Sequence, residues 1–262
     1  MQVAIIIPVR FGSTRFPGKP LVKISGRSML ERVWLIANAA HSSARIIIAT
    51  DDQRIYSAAQ QLGAEAMLTS STCRNGSERV LEVLEKLRQT TFNVVVNFQG
   101  DAVLTPPWVL ADLIKVFELR PNTRIATPAL QLDRNSAFKL WDLKKTGSSS
   151  GTLVTFDKDH NALYFSKSFI PFIRNAAENG PLQVFRHIGL YAYRPETLKQ
   201  LCLLPESRLE RSEGLEQLRA LENQIPIKVV PVDYRGRSHA SVDNPEDVGL
   251  VEAIISTEGE LI

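Results

Sequence analysis

Short apolar runs alternate with longer amphipathic stretches through the first half of the chain. Residues 3–9 (VAIIIPV) read as a strand buried on both faces. Residues 28–40 follow with Met29, Val33, Ile36 and Ala37 on one helical face. Strand 45–50 then precedes helix 52–62, strand 64–69 precedes helix 77–88, and strand 93–98 precedes helix 106–119. Apolar strands separated by amphipathic helices predict a parallel sheet covered on both sides, a Rossmann-like nucleotide fold.

The pattern changes after a further apolar run at 125–132. Residues 147–151 (GSSSG) read as a loop or an insertion boundary. Segments 153–156 and 162–165 predict a hairpin, 184–193 a strand, 208–222 a helix and 227–232 a return to the sheet. Residues 244–256 predict a last helix, with Asn244 as its cap and Pro245 in its first turn.

Composition narrows the class. At 262 residues and 44% hydrophobic, the chain suits one large domain with a full core. The formal net charge is +3, and no Lys/Arg block marks a nucleic-acid or membrane surface. Cys73 and Cys202 have no metal-ligand spacing and read as free thiols of a reducing compartment, so the expected location is cytoplasmic. The first residues enter a strand directly, unlike a signal peptide, and no apolar run is long enough to span a bilayer.

The densest chemistry follows the first strand. Arg10-Phe11-Gly12-Ser13-Thr14-Arg15-Phe16-Pro17-Gly18-Lys19-Pro20 gathers three cations, two glycines and two hydroxyls in one loop. Glycines let backbone N–H groups approach anionic oxygens, and Arg and Lys neutralise charge, so the loop suits a polyphosphate. It is not a Walker A, because five residues separate Gly12 from Gly18 and Pro20 follows Lys19. The G-x-G-x-x-G dinucleotide fingerprint is also absent.

Gln99-Gly100-Asp101 ends the strand at 93–98, where Asp101 could hold a divalent cation over a phosphate or serve only as a turn residue. Asp243 supplies a second carboxylate just before the last helix, where capping is the plainer role. In Asn75-Gly76-Ser77-Glu78-Arg79, backbone amides and Arg79 could meet a base edge, while Ser77 suits an N-cap. Strand 186–194 presents His187, Gly189, Tyr191 and Tyr193 on one face, and Glu216 and Gln217 lie in a helix between leucines.

Together these segments resemble the CMP-Kdo synthetases, the 3-deoxy-manno-octulosonate cytidylyltransferases. The likeness runs through IIIPVRFGSTRFPGKPL, ATDD, NGSERV, VNFQGD, NALYFSKSFIP, RHIGLYAYR, LEQLRALE and SVDNPEDV, in that order along nearly the whole chain. It implies a nucleotide-diphospho-sugar transferase fold: a mostly parallel central sheet with helices on both faces, and a smaller strand-rich part. Residues 1–130 and 225–262 would form the nucleotide-binding core of a single domain, and 131–224 a sugar-binding and dimerisation part.

The implied reaction is attack of a 3-deoxy-ulosonic acid's anomeric hydroxyl on the α-phosphorus of CTP, releasing pyrophosphate. The product would feed lipopolysaccharide or capsule assembly. Carried over by motif, Arg10, Ser13, Arg15 and Lys19 would hold the triphosphate, and Gly76, Ser77 and Arg79 the cytosine. Asp101 and Asp243 would hold Mg²⁺, making Arg10, Lys19, Asp101 and Asp243 the catalytic set. Gln99, Lys167, Arg174, His187, Tyr191, Glu216 and Gln217 would line the sugar site. The resemblance also implies a homodimer, and the segment 156–193, rich in aromatic and apolar residues, is the candidate interface.

Several positions depart from the family pattern. Ala102-Val103 stands where Glu-Pro is usual, Lys167 replaces Arg, and Asn244 replaces Thr. Lys144 to Thr152 takes the place of an Asn-Pro-Asn-x-Val-Lys stretch. These changes gather on the acceptor side, which leaves open a related acceptor such as the 8-amino sugar or a nonulosonic acid. A non-catalytic nucleotide- or sugar-binding relative is the reading of another class.

Overall fold

The structure is a computed structural model that describes residues 1–12, 15–87, 91–174 and 182–262. Its first half follows the apolar periodicity. Strand β1 (Val3–Val9) leads through a 3₁₀ turn and the short hairpin β2 (Lys23–Ile24) and β3 (Arg27–Ser28) into α1 (Met29–Ala40). Then come β4 (Arg45–Thr50), α2 (Gln53–Gln61), β5 (Glu65–Leu68), α3 (Gly76–Lys86), β6 (Val94–Asn97) and α4 (Pro107–Leu119).

The second half holds β7 (Ile125–Gln131), α5 (Arg134–Lys145), β8 (Leu153–Phe156), β9 (Ala162–Ser166), β10 (Phe185–His187) and β11 (Tyr191–Tyr193). It closes with α6 (Pro195–Leu203), α7 (Arg208–Glu213), α8 (Gln217–Glu222), β12 (Ile227–Val232) and α9 (Glu246–Glu258).

Ten strands form one sheet in the order β5-β4-β1-β6-β11-β7-β10-β8-β9, with β12 on the free side of β7. β5, β4, β1 and β6 are parallel neighbours, as are β7 and β12. β11 runs antiparallel between β6 and β7 and joins the two parallel groups. All of β1 is buried, and its alternation assigns the faces. Val3, Ile5 and Ile7 pack with Val33 and Ile36 of α1, Leu110 and Leu113 of α4, and Val251 of α9. Ala4 and Ile6 join Val80 and Val83 of α3 and Leu198 of α6 on the other face.

The structure corrects four local expectations. Helix 208–222 is two helices, because Gly214 adopts a left-handed conformation (φ 61°) that ends α7. Strand 184–193 is interrupted at 188–190, where the chain leaves β8 and moves beside β6 while still following β7. Asn244 does not cap α9; the Asp247 carboxylate reaches back to accept from the Asp243 and Asn244 N–H groups, both at 2.8 Å. The N-cap of α3 is Asn75, whose Oδ1 accepts from Glu78 N at 2.9 Å, and Ser77 is turned inward. Helices α5 and α6 were not expected. No helix among the described residues is long and apolar enough to cross a membrane.

Candidate active site

The parallel strands place their C-terminal ends, and the loops that follow, at one edge of the sheet, where open α/β sheets bind ligands. A cleft of about 390 Å³ opens there. The loop after β1 contributes Arg10, Arg15 and Lys19, the start of α3 contributes Gly76, Ser77 and Arg79, and the end of β6 leads to Gln99 and Asp101. Asp243 arrives from the segment before α9, and Tyr191 and Glu216 from the second half.

Lys19 ties these pieces together. Its Nζ donates to Asp101 Oδ2 at 2.8 Å and to the Val242 carbonyl at 2.8 Å, and lies 4.0 Å from Asp243 Oδ1. Arg15 Nη2 donates to Asp243 Oδ1 at 3.0 Å. Residues more than two hundred positions apart thus meet, with two carboxylates bracketing one cation. The Lys19 side chain is 14% exposed, whereas those of Asp101 and Asp243 are 33% and 42% exposed and remain open to the cleft. Because Asp247 satisfies the backbone before α9, the Asp243 carboxylate is released from capping.

Glycines set the approach of the backbone. A Cβ on Gly100 would stand 2.2 Å from Val9 Cγ1 and 3.3 Å from the Pro8 carbonyl, so the turn carrying Asp101 lies flat against β1. Gly100→Ala is expected to destabilise the protein by about 1–3 kcal/mol through overpacking and to displace Asp101. Urea unfolding read beside turnover checks this, and an unchanged midpoint would contradict it. Gly18 is left-handed (φ 73°), and a Cβ there would press on the Phe11 ring at 3.1 Å. That ring is capped by the Arg54 guanidinium 3.3 Å from its centroid, which braces the cationic loop against α2.

The wall that the sequence assigns to a base is built differently from that reading. Arg79 is buried, and its guanidinium donates to Asp51 Oδ2 at 2.9 Å, to Thr69 Oγ1 and to the Ser70 carbonyl at 3.4 Å. It braces the wall while lining the cleft. Gly76 packs against the Gln99 and Asn97 amides, and Gln99 Nε2 donates to Asn97 Oδ1 at 2.8 Å. Sequence reasoning passed over Asn97, although an amide ending a Val-Val-Val strand is itself a signal. It also passed over Arg74, an exposed cation on the rim.

The residues assigned to the acceptor are dispersed. Gln99, Tyr191 and Glu216 line the cleft, and Gln217 lines a small adjoining cavity with Tyr191 and Glu216. Burial pushes the Glu216 carboxyl above its usual range, against a hydrogen bond with Ser77, and its Oε1 has no hydrogen-bond partner. His187 does not line the cleft; it is buried, with Nε2 2.9 Å from Thr127 Oγ1. Lys167 lies against α5 in a separate hollow with Trp141 and Phe169, and Arg174 is exposed. Ser13 lies outside the described residues.

Burial pushes the His187 imidazole down to about 3, with the neighbouring His239 acting in the same sense. The folded protein therefore holds it neutral, while an unfolded chain takes up a proton below about pH 6.5. Unfolded chains bind more protons in that window, so stability falls as pH drops through it. By pH 5 the loss from this group is about 2 kcal/mol relative to neutral pH. Urea unfolding at both pH values measures it, and His187→Gln should lose most of that difference; an equal difference in the variant would refute the assignment.

Asp101 and Asp243 fit a hard divalent cation. Both offer carboxylate oxygens to the cleft and already bracket a positive charge at Lys19 Nζ. Among the described residues no cluster of three or more His, Cys, Asp or Glu could cage a metal alone.

Comparison with known proteins gives concordant results. The family model described as Cytidylyltransferase matches residues 4–229. A protein of Maricaulis maris (strain MCS10) named 3-deoxy-manno-octulosonate cytidylyltransferase is 50% identical over 262 residues, covering all of both chains. A protein of Shewanella pealeana named 8-amino-3,8-dideoxy-manno-octulosonate cytidylyltransferase is 36% identical, covering 98% of this chain and all of its own. The solved structure of CMP:2-keto-3-deoxy-manno-octonic acid synthetase complexed with CTP superposes with a TM-score of 0.86 at 32% identity, covering 98% of this chain and 100% of the other.

Proposed function

This chain belongs to the cytidylyltransferase family, and on that premise we propose that it transfers CMP from CTP to the anomeric hydroxyl of 3-deoxy-D-manno-octulosonate, releasing pyrophosphate. The observation that carries the reading is the meeting of Arg15, Lys19, Asp101 and Asp243 at one end of the sheet. Transfer at phosphorus needs in-line placement and neutralised charge rather than a covalent protein group. Arg10, Arg15 and Lys19 surround the space a triphosphate would take, and Gly76 lets the start of α3 pack against Pro8 and Gln99 beside it.

Asp101 and Asp243 would hold Mg²⁺, which when bound would neutralise phosphate charge and make the sugar hydroxyl easier to deprotonate. Tyr191 and Glu216 face the acceptor end of the cleft, where a buried carboxyl can hydrogen-bond a polyhydroxylated sugar. Lys167 and Arg174 stand apart from this cleft, so contact between them and the sugar carboxylate would require rearrangement or a second protomer. Exposed Leu163 (62%) and Phe172 (84%) support pairing with a second copy through the region 156–193, of which 175–181 lies outside the described residues. Free Cys73 and Cys202 suit a reducing, cytoplasmic setting.

The acceptor is tested by comparing kcat/KM for 3-deoxy-D-manno-octulosonate and its 8-amino relative at fixed CTP. The greater identity to the Maricaulis protein supports preference for the hydroxylated sugar. Preference for the amino sugar would retain CMP transfer and overturn the acceptor.

A further inference from the structure

At the opposite end of the sheet, where β7 and β12 begin, lies a second cavity of about 370 Å³. Three cations line it: Arg120 at the end of α4, Arg124 just before β7, and Lys228 in β12. Arg124 donates to Gln200 Oε1 at 2.5 Å and Thr197 Oγ1 at 3.4 Å. Lys228 Nζ donates to the Asp159 carbonyl at 2.5 Å and to Asn161 Oδ1 at 2.8 Å. All four acceptors are neutral. Among the described residues no hydrogen bond or ion pair engages the Arg120 guanidinium.

Burial, first, and the charge of Arg120 hold the Lys228 pKa below the usual lysine range, against the opposing charges of Asp157 and Asp159. Pro121 and Pro226 add an apolar side to the hollow.

We propose that this cavity binds a small anion bearing phosphate or carboxylate groups, held by Arg120, Arg124 and Lys228. Phosphate and carboxylate oxygens match arginine's planar fork and the lysine ammonium. The site is separate from the CTP cleft, which lies at the other ends of the strands. An anion bound there leaves the cationic loop after β1 free.

Calorimetric titration of the full chain with pyrophosphate, and separately with citrate, tests this. Both anions can also enter the CTP cleft, so the comparison is with Arg120→Ser, which leaves that cleft untouched. Wild-type protein is expected to show two classes of site for at least one anion. Arg120→Ser should weaken one class about tenfold, as for loss of a charge-assisted hydrogen bond. Turnover in the absence of added anion should be unchanged in Arg120→Ser. A response to pyrophosphate alone assigns phosphate chemistry, and a response to citrate alone assigns polycarboxylates. A single class of site for both anions, unaltered by Arg120→Ser, would overturn the proposal.

Discussion

Asp101→Asn is expected to lower kcat for pyrophosphate release about a thousandfold, the scale of losing one electrostatic element of a phosphoryl-transfer site. The substitution keeps the shape of the side chain and removes its charge. Asp101 sits on a turn pinned by the contact of Gly100 with Val9, and its side chain is one-third exposed, so the turn should persist. The salt bridge to Lys19 spans a partly exposed pair and should contribute no more than about 1 kcal/mol to stability. Loss of turnover with a stability change of no more than about 1 kcal/mol is therefore the expected pairing. A loss of less than tenfold would remove Asp101 from the reaction.

Lys19→Met is the second large effect. Lys19 both faces the cleft and fastens its walls, since Nζ reaches Asp101 and the Val242 carbonyl together. Methionine keeps the length and loses the charge and both hydrogen bonds. The expected fall in kcat/KM for CTP is about 10²- to 10³-fold. Stability should also drop by about 1–3 kcal/mol, because the Val242 carbonyl and the Asp101 carboxylate lose their shared donor. Lys19→Arg should fall between, since it keeps the charge but not the point geometry that fits between the carboxylates. Wild-type kcat/KM in Lys19→Met would contradict the triphosphate assignment.

The first half of the fold was legible because its periodicity was unambiguous. Strands such as β1 and β6 are buried on both faces and read as continuous apolar runs, and α1 and α3 each keep an apolar stripe. The second half follows other rules. Gly214 splits a leucine-rich helical pattern by adopting a left-handed conformation that periodicity does not register. The interruption between β10 and β11 arises because one chain segment serves two different neighbours, a demand made by the sheet and not by the local sequence. Helix α5 fully buries only Ala137, with Leu140 half-buried beside it, so its apolar stripe is short and weak.

The site was legible as a set of residue types, and its convergence was not. Asp243 reads as a cap in the sequence, but Asp247 takes that role in the fold. Ser77 and Asn75 exchange roles at the start of α3, since either side chain can cap and only packing decides which turns inward. Arg79 read as a residue aimed at a base, yet its guanidinium is held by Asp51 and Thr69, partners from two other segments. The Val242 carbonyl, which helps place Lys19, has no signature in a side-chain sequence at all.

The most direct test of CMP transfer is release of pyrophosphate by the purified chain with CTP, Mg²⁺ and 3-deoxy-D-manno-octulosonate, with each omitted in turn. Release that requires all three, with a CMP-sugar as the matching product, is the expected result. Release from CTP that is indifferent to the sugar, or no release with any ulosonic acid, would contradict it.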